Sequence, residues 1–251
     1  MSVNDVSNIH YECVGAAEAR QDFDLLRACS ELFTGHYGVW GESASRVGAR
    51  PGARVAMRPG RLRDTCLFDE DTCSLVVAKE AGRLIGHAFV CTFPAFPFDP
   101  PLEGTVVWVT QLVVHRDYRH RGIATELCRQ ALARAQILVT KPPVTYFGLV
   151  SSHPYAVRSI ERAGGVTCRP WQSEGLANAL VAASGIPYVQ GKRIDLDERC
   201  VIQTDFFVDH SEVDRLAEAE QDWRLGKLEE GEEYFAFARL PSDREASKYC
   251  Q

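Results

Sequence analysis

The sequence predicts a mixed α/β fold, because runs typical of strands alternate with segments of helical periodicity along its 251 residues. Near the N-terminus, a short strand predicted at 8–14 precedes a segment at 16–36 whose apolar residues recur at helical spacing. In the middle, Thr105–Val114 is almost entirely β-branched and aromatic, and the stretch from residue 123 to Ala135 again has helical periodicity. A chain of this length can bury a sizeable core.

Composition and charge limit the classes of function. The chain is 45% hydrophobic and 25% charged, with a formal net charge of −6, which argues against general nucleic-acid binding. No apolar run approaches the ~18 residues that span a bilayer, and the N-terminus lacks the pattern of a signal peptide. The nine cysteines are odd in number and contain no Cys-x-x-Cys pair, so we expect reduced thiols. We therefore expect a cytoplasmic protein that binds neither nucleic acid nor membrane.

A basic, glycine-containing turn follows the central apolar run. The first turn of a helix leaves backbone N–H groups without partners, and its dipole favours an anion there. Gly122 permits a close approach or a positive φ, and Ala124 leaves the helix start uncluttered. Arg119, His120 and Arg121 add cationic or potentially cationic donors beside it. This order of strand, turn and helix predicts a phosphate-binding site; the alternative is a basic turn that only joins two elements.

The stretch LVVHRDYRHRGIATEL, residues 112–127, resembles the acyl-CoA-binding motif of the GNAT superfamily of N-acetyltransferases. The motif core, Gln/Arg-x-x-Gly-x-Gly/Ala, is matched by Arg119, Gly122 and Ala124. The resemblance implies that acetyl-CoA is the cosubstrate, with its pantetheine arm on the strand and its pyrophosphate at residues 119–125. The donor-binding residues that it implies are Leu112, Val113, Val114, Arg119, His120, Arg121, Gly122, Ile123, Ala124, Thr125, Ser152 and His153.

The resemblance also implies a more detailed fold. We expect a twisted mixed sheet, mostly antiparallel, with helices on both faces, which splays open beside the acetyl-CoA-binding strand. A hairpin formed by 73–79 and 83–93 should precede that strand. We expect one GNAT-like acyltransferase domain over residues 1–251, with an elaboration at about 169–200 and a strand, helix and strand at about 200–240. The residue pattern predicts the first strand of this last group at 200–208 and its helix at 211–223.

A second family motif, Asn-Pro-x-Ala at the start of a helix, is similar to His153, Pro154 and Ala156, with histidine in place of asparagine. In the family, a tyrosine seven residues after the asparagine commonly protonates the departing thiolate. That position is Ile160 here, which cannot donate a proton. Tyr155 is a candidate substitute, although an ordinary role in packing or at the helix start is the alternative. The thiolate could also leave without a side-chain acid.

The general base is not evident from the sequence. The family often uses a glutamate on the central strand, but alternation places Trp108 and Thr110 on one face and Gln111 on the other, with no carboxylate. Proton transfer would then use ordered water or a side chain from elsewhere. The candidates are His87, Glu103, Asp205 and His210. Among these, His87 interrupts an apolar strand, where a histidine is more often a core residue than a base.

Two further segments have alternative interpretations. The glycine-rich stretch 35–60 contains Tyr37 and Trp40, which either attach the loop to the body of the protein or line a substrate mouth; attachment is the commoner case. At the junction of a strand and a helix, Asp209-His210-x-Glu212 could hold a metal, but residues of this kind usually cap the helix. We therefore expect no metal.

The function predicted is transfer of an acetyl group from acetyl-CoA to a primary amine of a small molecule or peptide, by direct attack in a ternary complex. The alternatives are a catalytically weak acyl-CoA-binding protein, and an acyltransferase that uses another acyl group or a hydroxyl acceptor. The acidic net charge mildly favours a cationic acceptor. We expect a monomer or a homodimer.

Overall fold

The computed structural model describes residues 8–95, 104–138, 144–169, 184–192, 194–195, 199–219 and 222–241. The strands are β1 (Ile9–Gly15), β2 (Cys73–Glu80), β3 (Arg83–Pro94), β4 (Thr105–Val114), β5 (Val144–Ser151), β6 (Ile194–Asp195), β7 (Val201–Gln203) and β8 (Glu232–Arg239). The helices are α1 (Ala16–Ala19), α2 (Phe23–His36), α3 (Pro59–Cys66), α4 (Ile123–Leu138), α5 (Pro154–Gly164) and α6 (Ser211–Ala219).

All eight strands form one sheet in the order β1-β2-β3-β4-β5-β8-β7-β6. The β4–β5 pair is parallel, and the other neighbouring pairs are antiparallel. This arrangement confirms the mixed, mostly antiparallel sheet that the sequence predicted. None of the helices in the described part of the chain is long and apolar enough to cross a membrane.

Helices cover both faces of the sheet, as predicted. Gly86 of β3 lies beneath Ile123 of α4, and Gly86 pairs with Val114 of β4. The preceding residue of β4, Val113, packs with Phe33 of α2. Because consecutive residues of a strand point to opposite faces, α4 and α2 lie on opposite sides of the sheet. We call these two sides the α4 face and the α2 face.

The sheet opens between β4 and β5. The two strands pair from Thr105 to Val109 of β4 and from Val144 to Leu149 of β5. Beyond this point β4 continues to Val114 beside β3, while β5 pairs with β8 on its other edge. The gap between the two central strands is the splay that the resemblance implied.

A bulge in β4 changes the predicted alternation at the same level. Val109 pairs with Val90 and Gln111 pairs with Phe89, so Thr110 is an extra residue. Thr110 lies near Cys66 of α3, and the Gln111 amide lies 3.7 Å from the Met57 sulfur in the connection between α2 and α3. The prediction that Gln111 faces away from Thr110 is therefore wrong, because the extra residue turns both toward the α2 face.

Three predicted elements differ in the structure, one because it is divided and two because they are shorter. The expected helix over 16–36 is divided into α1 and α2, because Asp22 caps α2 by accepting a hydrogen bond from the Leu25 N–H at 2.9 Å. The strand expected over 200–208 ends after Gln203, since Asp205 has a positive φ of 59°. The helix expected over 211–223 ends at Ala219 within the described residues.

Candidate functional site

A cavity of about 610 Å³ lies where β4 and β5 part. Its walls come from the end of α2, the carboxyl end of β4, the turn and first residues of α4, the junction of β5 and α5, and the segment before α6. Twelve of the residues predicted from the sequence line it, namely Leu112, Val113, Val114, Arg119, His120, Gly122, Ile123, Ala124, Thr125, Ser152, His153 and Tyr155. The predicted region is thus brought together around a single space.

The N-terminus of α4 forms one end of this cavity. Gly122 has a φ of 79° and His120 a φ of 61°, so the turn uses two residues in the left-handed region. A Cβ added at Gly122 would have no protein atom within 4 Å. The N–H groups of residues 123–125 belong to the first helical turn and have no intrahelical acceptor. Open space in front of free N–H groups fits a phosphate group.

Arg119 lines the cavity, but its guanidinium also makes hydrogen bonds within the protein. Its guanidinium donates hydrogen bonds to the carbonyl oxygens of His36, at the end of α2, and Val114, at the end of β4. Partial burial lowers its pKa. Arg121 lies over the ring of Tyr118, 5.0 Å from the centroid, outside the cavity lining. Arg119 therefore ties two elements together, and the backbone of the turn is left as the main donor to an anion.

His153 shows why histidine can replace the asparagine of the family motif. Its Nδ1 accepts a hydrogen bond from the Tyr155 N–H at 3.2 Å, so it caps α5. This role requires an unprotonated Nδ1. Burial, followed by the nearby Arg119, lowers the pKa of His153 to about 4, which keeps the ring neutral near pH 7. The replacement preserves the cap and therefore the direction in which α5 leaves the sheet.

Tyr155 lines the cavity and lies edge-on to His120, with ring centroids 5.1 Å apart. Ile160, at the position of the family tyrosine, is fully buried and packs in the core. Of these two, only Tyr155 brings a hydroxyl to the cavity.

The other candidate bases lie away from the cavity or outside the described residues. His87 is fully buried; its Nε2 lies 2.9 Å from the Gln111 amide oxygen, and burial lowers its pKa to about 4. These contacts place His87 in the core and do not support it as a base. Asp205 pairs with Lys192 at 3.0 Å on the surface. Neither Asp205 nor His210 is among the described residues that line the cavity, and Glu103 falls outside the described part of the chain.

Another part of the cavity wall is built from segments distant in sequence. Tyr37, Gly38 and Val39 face residues Val208, Asp209, Glu212 and Val213. Backbone hydrogen bonds hold these segments together, from the Gly41 N–H to the Phe207 oxygen at 2.9 Å and from the Asp209 N–H to the Val39 oxygen at 3.0 Å. The sequence does not indicate that these segments meet, because no local motif links them.

The two aromatic residues of the 35–60 segment have different roles. Trp40 forms a β-bridge with Val208 and lies edge-on to Phe206, with centroids 5.0 Å apart. It attaches the segment to the body of the protein. Tyr37 stacks on Phe33 at 4.4 Å and also lines the cavity. Attachment is therefore the role of Trp40, whereas Tyr37 both packs on the body of the protein and lines the cavity; that this cavity admits a substrate stays a prediction.

The Asp209-His210-x-Glu212 segment caps a helix. The Asp209 carboxylate accepts a hydrogen bond from the Ser211 N–H at 2.9 Å, and this bond is the chief reason that its pKa is lowered. Glu212 is exposed and faces the cavity from the first turn of α6. In the described part of the chain, no group of three or more His, Cys, Asp or Glu residues is arranged to hold a metal ion.

One carboxyl group near the cavity has no counterpart among the residues predicted from the sequence. Glu233, the second residue of β8, is 5% exposed. The backbone N–H of Ser152, which lines the cavity, and the Thr204 hydroxyl, which donates to the Gly231 oxygen at 3.3 Å, lie beside its carboxyl group. Burial raises the pKa of Glu233 to about 7, against the smaller lowering effect of these two groups. Because Glu233 stands at the start of an apolar strand, the sequence did not predict that its carboxyl group would be buried.

The chain is similar to known acetyltransferases. The model of the Acetyltransferase (GNAT) family matches residues 49–140. No protein among those with curated descriptions matches the chain. Similar solved structures include the apo form of a mutant agmatine N-acetyltransferase, with a TM-score of 0.46, 12% identity and coverage of 93% of this chain and 100% of that chain.

Two further solved structures are similar. An acetyltransferase of the GNAT family from Streptococcus pneumoniae has a TM-score of 0.43 and 9% identity, covering 93% of this chain and 99% of that one. A predicted acetyltransferase from Clostridium acetobutylicum, determined with acetyl-CoA, has a TM-score of 0.42 and 14% identity, covering 66% of this chain and 94% of that one.

Proposed function

We propose that this chain, which carries a GNAT-family acetyltransferase domain over residues 49–140, transfers an acetyl group from acetyl-CoA to a primary amine of a small molecule or peptide. The family uses acetyl-CoA as its donor. The observation that carries the proposal is the cavity between β4 and β5, which has the free N-terminus of α4 at one end and the β5–α5 junction along one side. The continuous sheet from β1 to β6 supports treating the whole chain as one domain.

The donor fits the residues present. The open turn at Gly122 and the N–H groups of 123–125 would hold the pyrophosphate. Beyond Val109 the edge of β4 that faces β5 has no strand paired with it among the described residues, so backbone groups of residues 112–114 would bind the pantetheine arm. The N–H of Leu112 or Val113 would polarise the thioester carbonyl, as a fixed donor aimed at developing negative charge.

The acceptor would attack the thioester directly, with both substrates bound at once. The space lined by Tyr37, Val39 and the 208–213 segment adjoins the end of β4, so an amine placed there would reach the carbonyl carbon. Holding the two groups at reacting distance can lower the barrier by roughly 7–11 kcal/mol. Tyr155 is the side chain that we propose as proton donor to the departing sulfur, since Ile160 cannot serve.

The experiment that tests this function measures release of free thiol from acetyl-CoA by the purified chain with a panel of small and peptide amines. Each product is identified by mass. We expect thiol release that depends on the amine and an acetylated amine as product. Tight acetyl-CoA binding with no thiol release from any amine would favour the acyl-CoA-binding protein instead. If product formed only with hydroxyl compounds, the acceptor would be a hydroxyl group and not an amine. If it formed only with longer acyl donors, the transferred group would not be acetyl.

A further inference from the structure

Glu233 differs from the other deeply buried glutamates. Glu161 pairs with Arg158 at 2.6 Å, and Glu232 pairs with Arg199 at 2.8 Å. Among the residues that the structure describes, no cation pairs with Glu233. Its neighbours are hydrogen-bond donors and aromatic rings instead. A buried carboxyl group without a cation is costly to ionise, so an ammonium group that enters the cavity would stabilise its charged form.

The side chain of Glu233 lies on the α2 face of the sheet. Phe235, two residues further along β8, contacts Trp108 with ring centroids 5.4 Å apart, and residues two apart share a face. The Trp108 indole N–H in turn donates to the Tyr188 hydroxyl at 3.4 Å. Tyr234, between them, packs against Trp223 on the α4 face. Glu233 therefore lies on the side of the sheet that also holds α2.

Glu233 is also next to the opening between β4 and β5. Ser151 of β5 pairs with Tyr234, so the residue before Tyr234 is level with Ser152, whose N–H lies beside its carboxyl group. Ser152 and Tyr37 both line the cavity. The Tyr37 and Tyr188 hydroxyls are close enough to Glu233 for its charge to raise their pKa values, after the larger effect of burial. A carboxyl group and two phenols thus lie together behind the cavity wall.

We propose that Glu233 accepts the proton of a cationic amine acceptor, through a water molecule in the cavity, and that this amine binds against Tyr37. The inference rests on the proposed function and specifies the acceptor as an ammonium that must be neutralised before it attacks. Aromatic faces and a carboxylate together favour an ammonium group. The phenols beside Glu233 are neutral, so they would not compete with its carboxylate for the ammonium group.

Protons and electrons balance in this step. The ammonium gives one proton through water to the Glu233 carboxylate, which becomes the neutral acid, and the amine becomes a free base. Its lone pair forms the C–N bond as the C–S bond breaks, and the electrons of that bond stay on sulfur. Tyr155 protonates the thiolate, giving free thiol, and the second proton lost from nitrogen replaces the one that Tyr155 has given. Glu233 then returns its proton to solvent.

Two further features support Glu233 in this role. Its pKa of about 7 is near neutrality, where a general base works best. The titratable groups that face it are Tyr37, from the end of α2, and Tyr188, from the 184–192 segment, and raised pKa values keep both neutral near pH 7. Glu233 is therefore the group whose ionisation would control the reaction between about pH 6 and 8.

The test compares the Glu233→Gln variant with wild type, using an amine that the thiol-release assay has identified. At pH 7 we expect kcat to fall by roughly 10²–10⁴-fold, with acetyl-CoA affinity unchanged. Wild-type activity should rise with pH through about 7, because Glu233 must be ionised to accept a proton. The activity of the variant should not rise near pH 7. It should increase only near the pKa of the amine, where the unprotonated amine is already present in solution.

Glu232→Gln is the matched control, since it changes the adjacent carboxyl group of the same strand, which pairs with Arg199. Its activity should still rise with pH near 7, as in wild type. If Glu233→Gln lowered kcat by the same factor at every pH and kept the rise near pH 7, the role of Glu233 would be structural and the inference would be overturned. Unchanged activity in this variant would also overturn it. If wild type acetylates no amine at all, the proposed function fails, and this inference fails with it.

Discussion

Two parts of the cavity wall are built in different ways. The donor half, our name for residues 112–125 and 151–156, is the part proposed to bind acetyl-CoA through backbone groups at the end of β4 and the start of α4. The acceptor half, residues 37–39 and 208–213 with Glu233 behind it, presents side chains held by contacts between distant segments. A backbone site depends on the shape of one continuous stretch, whereas a side-chain site depends on the packing of several. The two halves should therefore fail under different substitutions.

The largest effect is expected from Gly122→Val in the donor half. A β-branched residue is strained at a φ of 79°, and its side chain would occupy the space in front of the α4 N–H groups. We expect acetyl-CoA affinity to fall by more than about 100-fold, or roughly 2.7 kcal/mol, with the protein still folded. Calorimetric titration measures the affinity, and circular dichroism checks the fold.

Gly82→Val is a matched control for this loss. Gly82 has the same φ of 79°, also has open space where a Cβ would lie, and belongs to the β2–β3 turn away from the cavity. Both variants should lose similar stability, because the strain is similar. Equal acetyl-CoA affinity in both variants would show that the turn at Gly122 does not hold the donor.

In the acceptor half, Trp40→Ala should raise the KM of the acceptor by roughly tenfold, because the loop that carries Tyr37 loses its attachment to Phe206. Acetyl-CoA affinity should change less than about twofold, since no donor contact is touched. Steady-state kinetics with each substrate varied in turn measures both quantities. The opposite result, a donor effect without an acceptor effect, would contradict the division of the cavity.

Trp223→Ala provides the control for lost packing. Trp223 is half-buried like Trp40, but it packs against Tyr234 and Arg158 on the α4 face. Each substitution should cost about 2 kcal/mol of stability, less than the ~3–5 kcal/mol for a fully buried aromatic residue. Only Trp40→Ala should change the acceptor KM.

A smaller effect is expected from Arg119→Ala. The guanidinium is committed to the carbonyl oxygens of His36 and Val114, so the first loss is in stability, about 1–2 kcal/mol. That loss corresponds to a decrease in Tm of roughly 2–8 °C. Acetyl-CoA affinity should fall by less than about tenfold, because the backbone donors remain.

Arg121→Ala, whose side chain lies over Tyr118 outside the cavity lining, should have little effect on either quantity. A loss of more than about 100-fold in affinity for Arg119→Ala, with Tm unchanged, would instead mean that its guanidinium turns to bind the phosphate.

The contrast between the halves also explains what the sequence could predict. Local periodicity and one glycine predict the mixed sheet. They also predict the strand, turn and helix around Gly122. The break before α2 was also signalled, because Asp22 is a common capping residue. In contrast, the bulge at Thr110 depends on the partner strand β3. It could not be read from β4 alone.

Glu233 shows the same limit at the site itself. A carboxyl residue at the start of an apolar strand usually marks an exposed strand end, and nothing local distinguishes Glu232 from Glu233. Their difference arises from what lies opposite, Arg199 for one and the Ser152 N–H for the other. Pairings across the sheet decide which of two identical residues lies beside the cavity.

The smallest effect is expected at position 153. There, a different side chain should be tolerated as long as it still accepts the hydrogen bond from the Tyr155 N–H. His153→Asn should retain the cap on α5, whereas His153→Ala should cost about 1 kcal/mol, because the Tyr155 N–H loses its acceptor. Thermal unfolding at pH 7 measures the difference. Acetyl-CoA affinity should change little in either variant.

The pH dependence of stability gives this prediction a second measurement. The pKa of His153 is lowered from 6.5 to about 4 in the folded protein, so between these values the unfolded chain binds a proton that the folded chain does not. Its contribution is fully present above pH 6.5 and is lost as the pH falls toward 4. Because asparagine does not titrate, the Asn variant should lose less stability than wild type over this window. An identical pH profile for both proteins would mean that His153 is free to protonate, and its capping role would then be wrong.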